Sequence, residues 1–274
     1  MFDAVLLFKD ALYGALVIAV ACSVLGVYVV LRRIVFVGAA LAELSSAGIA
    51  LALWLGGRHL LPEAASHPIA FALLLTLAGA MFFGIGAGRG RIPPDATIGV
   101  TYAVAAAAGI LLISKAAVGE AHDIFLQGNI LGITNVDTLV LLGVAIPVLL
   151  LHVIFYKEFL FVSFDRETAR TLGYNVRFWN LLLYFTLGLV IAFAMQFAGV
   201  MLVFNFLVLP AVTGLLLARS MAGTFVWAVI AGIIAAVVGF TVSVPFDLPS
   251  GPAIIAVSGV LALLAFGVRV LQRR

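Results

Sequence analysis

The chain has 274 residues, of which 65% are hydrophobic and only 10% charged. A soluble domain carries about 25% charged residues, so a water-facing globule is excluded. The net charge is +3, with no basic cluster interleaved with aromatics, which argues against nucleic-acid binding.

In chain order, nine apolar segments read as membrane spans: about 11–31, 34–56, 68–88, 96–114, 137–156, 178–196, 199–218, 223–244 and 252–270. Each approaches the roughly 20 residues that cross a bilayer's hydrocarbon core. The 27 glycines and many alanines let such helices pack closely. The first segment has an acidic flank, Asp3 and Asp10, and no clear cleavage site. It reads as a mature first span rather than a removed leader. Cys22 inside it reads as a small packing residue. No gap is long enough for a soluble domain, so residues 1–274 are expected to form a single transmembrane domain. The segment 120–134 is too short to span. It reads as an outer interfacial helix or a re-entrant piece covered by protein. His122 and Asp123 within it have two readings, assistance to substrate entry or, more plainly, solvated or partner-facing groups; His59 and His67 read as loop residues.

Positive residues orient the spans, because cytoplasmic loops collect Lys and Arg. With the N-terminus outside, Arg32, Arg33, Arg89, Arg91, Lys157, Arg166, Arg170, Arg177, Arg219, Arg269, Arg273 and Arg274 face the cytoplasm, and only Lys9, Arg58 and Lys115 lie outside: 12 against 3. The expected fold is an all-α polytopic bundle of about nine transmembrane helices, with eight the alternative count, N-terminus outside and C-terminus cytoplasmic.

Ionisable groups inside a span cost roughly 2.5–3.5 kcal/mol on insertion scales and face a pathway or a partner. Glu43 is the clearest case, set among small residues between Gly38 and Gly48. Two readings stand for it: a carboxylate lining a substrate path, or a structural carboxylate bonded to Ser45, Ser46 or a neighbouring helix. His152, Gln196 and Asn205 are polar groups in spans whose plainer role is interhelical hydrogen bonding. His152 and Asn205 stand with Glu43 as the candidate substrate pathway, and Glu43 as the candidate metal ligand.

Enzymatic signatures are missing. None of Lys9, Lys115 and Lys157 sits in a phosphate-binding Gly-x-x-x-x-Gly-Lys loop. There is no zinc-spaced Cys/His cluster and no Gly-x-Ser-x-Gly elbow. The chain is expected to be no enzyme and to bind no cofactor itself; ATP, if used, belongs to a separate subunit. The stretch from Phe164 to Gly173 fits a short charged helix on the inner side. Asp165 can cap its start and Gly173 can end it in a left-handed conformation. Arg166, Glu167 and Arg170 would face solvent, with Ala169 and Leu172 on another face. Such a helix suits docking on a cytoplasmic motor.

At this point a family resemblance emerges, carried by stretches spread nearly end to end. They are Val30-Leu-Arg-Arg33, Gly38 with Gly48 to Leu51, Asp95 to Gly99, Gly128 to Leu131, Phe164-Asp165 with Ala169-Arg170 and Leu172-Gly173, Gly199 to Val203 with Leu209-Pro-Ala211, and Asp247 to Pro252. In order and spacing the chain resembles the permease subunit of ABC transporters that import divalent metals such as zinc, manganese or iron. The resemblance implies a homodimer, a cytoplasmic ABC ATPase docked through 164–173, an extracytoplasmic solute-binding protein and a bacterial or archaeal inner (plasma) membrane. Metal-transporting members usually carry an Asp and, four residues later, a His in the second span. Here those positions read Ala39 and Glu43. A carboxylate alone suits manganese, iron or another hard ion better than zinc. A non-metal or chelated substrate in the same architecture, or a stand-alone secondary transporter, are the competing readings.

Overall fold

The computed structural model describes residues 8–58, 67–86, 93–115 and 130–272. Those residues form ten α-helices and one short 3-10 turn, Ile130–Gly132. The helices are α1 (Lys9–Leu31), α2 (Val37–Gly57), α3 (Pro68–Gly86), α4 (Pro94–Lys115), α5 (Asn135–Ile154), α6 (Tyr156–Phe164), α7 (Arg166–Thr171), α8 (Val176–Leu217), α9 (Met221–Ser243) and α10 (Ser250–Gln272). Eight of them, all but α6 and α7, are long and apolar enough to cross a membrane. Helices suit this composition because each satisfies its own backbone hydrogen bonds where no water can.

The eight helices carry the nine expected segments because the sixth and seventh are joined in α8. A straight helix of 42 residues would reach about 63 Å, twice the hydrocarbon thickness. The chain escapes at Gly199, where φ 72° and ψ 168° interrupt the helix. That conformation is essentially open to glycine alone. Past it the chain turns back. Asn180 and Leu207 would lie about 40 Å apart on a straight helix. Yet Asn180 is bonded to Arg32 and Leu207 packs on Gly26, less than two turns away on α1. The arms 176–198 and 200–217 therefore run against each other, and the sequence boundary near 196–199 falls on the reversal.

Close approach needs small residues. Gly26 meets the backbone of Leu207, and Gly48 meets Phe71 and Ala72 of α3. The α1 helix, α2 and the two arms of α8 form the interior, while α3, α4, α5 and α10 bury only a minor share of their surface. Those outer helices expose large apolar side chains such as Leu74, Leu111, Val153 and Leu263, as expected of lipid-facing surfaces.

Side-chain bonds group the helix ends. Arg32 donates from Nε to Ser163 (2.9 Å) and from Nη1 to Asn180, and Asn180 Nδ2 donates to the carbonyl of Gly84 (2.6 Å). These ends share one side of the bundle. At the opposite side, Thr138 bonds the carbonyl of Asp10 (3.3 Å) and Ile133 packs on Gly14. Among the described residues, Arg32, Arg33, Lys157, Arg166, Arg170, Arg177, Arg219 and Arg269 gather at the first side; Lys9, Arg58 and Lys115 lie at the second. The bundle thus has one basic end, matching the charge bias read along the chain.

The reversal can be tested directly. Gly199→Ala forces a side chain into that conformation and should cost about 1–3 kcal/mol. Gly259→Ala, whose added methyl meets open space, should leave stability unchanged or raised. Thermal unfolding of both variants in detergent reads the difference.

Candidate functional site

Glu43 lies on α2 in a run from Val37 to Ala52 that is almost wholly buried, and it is itself 6% exposed. The α2 helix is packed on three sides: Gly38 against Leu207 of the second α8 arm, Leu41 and Leu44 against Gly79 of α3, and Ala47 against Gly109 of α4. At 3.6 residues per turn, Ala39, Glu43, Ser46 and Ala50 fall on a face between these contacts. Glu43 takes part in an interaction of its own there.

Asn205 lies on the second α8 arm and is buried. Its Nδ2 donates to Ser258 of α10 at 3.0 Å, and Ser258 in turn donates to the carbonyl of Ile254. The amide is therefore oriented, and its Oδ1 is buried without a partner. His152, near the end of α5, bonds Thr186 at 3.0 Å through Nε2. Its ring stacks on Phe159, with centroids 4.1 Å apart, and tilts against Tyr28 at 5.1 Å. So His152 sits in an aromatic cluster of α1, α5 and α6, and Asn205 is tied to α10. His122 and Asp123 lie outside the described residues. Among the described residues no three His, Cys, Asp or Glu side chains come together.

The segment after α6 folds as its residues direct. Asp165 adopts an extended conformation and accepts from the backbone N–H groups of Glu167 (3.1 Å) and Thr168 (3.0 Å) and from the Thr168 hydroxyl (2.6 Å). At the other end Gly173, with φ 86°, lets its own N–H reach the carbonyl of Arg170 while the Tyr174 N–H reaches Ala169. Both bonds together make a Schellman termination. Ala169 is fully buried and anchors α7, while Glu167 and Arg170 are exposed and Arg166 half-buried. Leu172, placed by the sequence with Ala169, is instead 65% exposed, beside exposed Phe164. A cleft of about 660 Å³ opens next to α7, lined by Arg166, Glu167, Arg170, Tyr174 and Arg177. The segment from Phe164 to Arg177 thus presents basic and apolar groups together at the basic end.

Sequence reasoning missed the Arg32–Ser163–Asn180–Gly84 junction. Its links span separations of 131 and 148 residues, and no local pattern foretells them. It also left α6 unassigned, although Phe155, Tyr156 and Phe159 follow helical spacing into the aromatic cluster.

The profile of the ABC 3 transport family matches residues 5–269. The chain belongs to that family. Relatives include the manganese import system permease protein ScaB of Streptococcus gordonii, 33% identical across 97% of this chain and 92% of ScaB. The manganese transport system membrane protein MntC of Halalkalibacterium halodurans is 30% identical across 94% of this chain and 86% of its own length. Among solved structures, PsaBC from Streptococcus pneumoniae in complex with Fab matches with a TM-score of 0.80 at 30% identity, covering 94% of this chain and 90% of that one. The chain is thus a multi-pass permease subunit of an ABC importer.

The cap on α7 has a defined pH range. Hydrogen bonds from the Thr168 hydroxyl and backbone, then from Glu167, hold the Asp165 carboxyl below its ordinary value. A depressed carboxyl stabilises the fold above its unfolded pKa, about 3.9, and that contribution is lost as pH falls through the lower folded value. Hydrogen-exchange protection of the Thr168 and Ala169 amides should therefore hold from about pH 5 to 8. It should fall in Asp165→Ala and largely survive in Asp165→Asn, whose amide oxygen still caps.

Proposed function

We propose that this permease moves a divalent metal ion, manganese or iron in preference to zinc, along a path lined by Glu43. The observation carrying the reading is a buried carboxylate within a span, on an α2 face made otherwise of small residues. Inside a span such a group is expensive unless it serves a path or a partner. An oxygen ligand favours hard ions, whereas zinc prefers nitrogen and sulfur. The names of MntC and ScaB, both manganese systems, support the same choice. Two copies of the chain bring two Glu43 carboxylates toward one axis and complete an oxygen-rich site. Asn205 Oδ1 and the His152 region stand as further polar positions of the path.

In this reading the basic end faces the cytoplasm and the N-terminus lies outside. A separate ABC ATPase docks on the segment from Asp165 to Gly173, with Arg166, Glu167 and Arg170 making charged contacts and Leu172 an apolar one. The Schellman turn at Gly173 fixes the helix against the bundle, so force from nucleotide-driven closure passes to α8. ATP binds the partner, and an extracytoplasmic binding protein delivers the ion.

Reconstitution with the partner ATPase and binding protein tests the path. Glu43→Ala and the isosteric Glu43→Gln should each lower manganese uptake at least about tenfold, equivalent to one charge-assisted ligand, with melting temperature and ATPase assembly retained. Uptake at the unmodified rate in both variants excludes the role, and a metal-free organic ligand on the binding protein excludes the metal. Separately, Leu172→Asp should sharply reduce ATPase co-purification while the permease itself stays folded.

A further inference from the structure

A second recess lies at the basic end, about 360 Å³ in volume and distinct from the cleft beside α7. Leu31, Arg32, Arg33, Pro94, Arg166 and Tyr184 are among its walls. Two of these carry buried donors with no acceptor: Nη2 of Arg32 and the hydroxyl of Tyr184, a side chain with no exposed surface. The other Arg32 nitrogens are spent on Ser163 and Asn180, so Nη2 is aimed by its own side chain's bonds. Among the described residues no carboxylate lines the recess. Asp95, next to Pro94, is exposed.

Such an arrangement of donors and cations suits an anion. Buried donors left unsatisfied cost about 1–3 kcal/mol each, and uncompensated guanidinium groups repel one another. Burial first, then the Arg166 charge, pull Arg32 down to about 9. Arg33 adds to the cost, since its φ of 57° is left-handed and a glycine would fit there without strain. Its side chain, not its backbone preference, suits the site.

We propose that this recess binds the phosphate of an anionic phospholipid headgroup. A phosphate offers several acceptor oxygens that can take both orphan donors and pair with Arg33 and Arg166 at once. The depth decides for lipid over a soluble ligand. Leu31 closes α1 and Pro94 opens α4, so the walls stand where spans meet the headgroup layer. Basic pockets between spans at that level take acidic headgroups. Exposed Phe164, also in the wall, offers an apolar surface to an acyl chain. The inference does not depend on which ion the permease carries. Because Arg32 bonds α6 and the first α8 arm, a bound headgroup stiffens the seat of α7.

The full chain, purified and delipidated in detergent, provides the test. Phosphatidylglycerol at saturating concentration should raise its melting temperature by about 5 °C; phosphatidylcholine and inorganic phosphate should do little. Arg33→Gln and Tyr184→Phe, the latter removing one oxygen with the ring in place, should each weaken phosphatidylglycerol retention at least about fivefold by native mass spectrometry. Undiminished retention in both variants overturns the site. An equal shift with inorganic phosphate overturns the lipid assignment in favour of a small anion. No shift with phosphatidylglycerol, coupled with poorer ATPase co-purification by Arg33→Gln, overturns it in favour of a protein carboxylate.

Discussion

Hydrocarbon offers the peptide backbone no hydrogen-bond partner, and that constraint shapes every element of this permease. It demands helices, and it makes any interruption of a helix at membrane depth costly unless protein covers it. The break at Gly199 is admissible because α1, α2 and α10 enclose the reversing arms. Leu207 on the backbone of Gly26, and Asn205 bonded to Ser258, are the contacts that cover it. Remove the small residue on α1 and the second arm loses its seat. The two arms are what give α8 contact with nearly every other span, so the organisation of the bundle follows from one glycine's φ and ψ.

The same constraint explains what was legible in advance. Apolar runs of bilayer length and the bias of Lys and Arg are local or additive signals, so span positions, the reversal near 199 and a single basic end could all be read from residues alone. The capped inner helix was legible too, because Asp165, Thr168 and Gly173 act on their own neighbours within a turn or two. Leu172 was misplaced for a physical reason: the Schellman turn swings the chain at Leu172 and Gly173 off the helical wheel, so spacing no longer assigns its face. The Arg32 junction was beyond reach, since a guanidinium at a span end reads as a topology signal until the fold brings Ser163 and Asn180 to it.

Glu43 marks the limit of single-chain geometry. Its burial, its face and the small residues around it were all expected from sequence. Among the described residues no cluster of ligating side chains forms within one chain. Under the proposed role, two Glu43 carboxylates meet across the axis of a dimer. Each chain would then bury one carboxylate at tolerable cost, and a full coordination shell would arise only with the second copy. A transporter needs such conditional coordination, since conduction requires an ion to be held and then released.

The basic end joins these themes. Arg32 closes α1, orders the turn into the helix that bears Glu43, and bonds both the helix preceding α7 and the first arm of α8. One side chain at the end of α1 therefore ties α6 to the first arm of α8. Rigid elements joined by oriented hydrogen bonds transmit displacement, whereas apolar contacts between lipid-facing helices slide. Under the proposed docking, a shift of α7 would reach the α1–α2 turn through Ser163 and Arg32. Because Arg32 Nη2 and the Tyr184 hydroxyl are left unsatisfied, the proposed headgroup would stiffen this junction and bring the lipid composition into the coupling between motor and path.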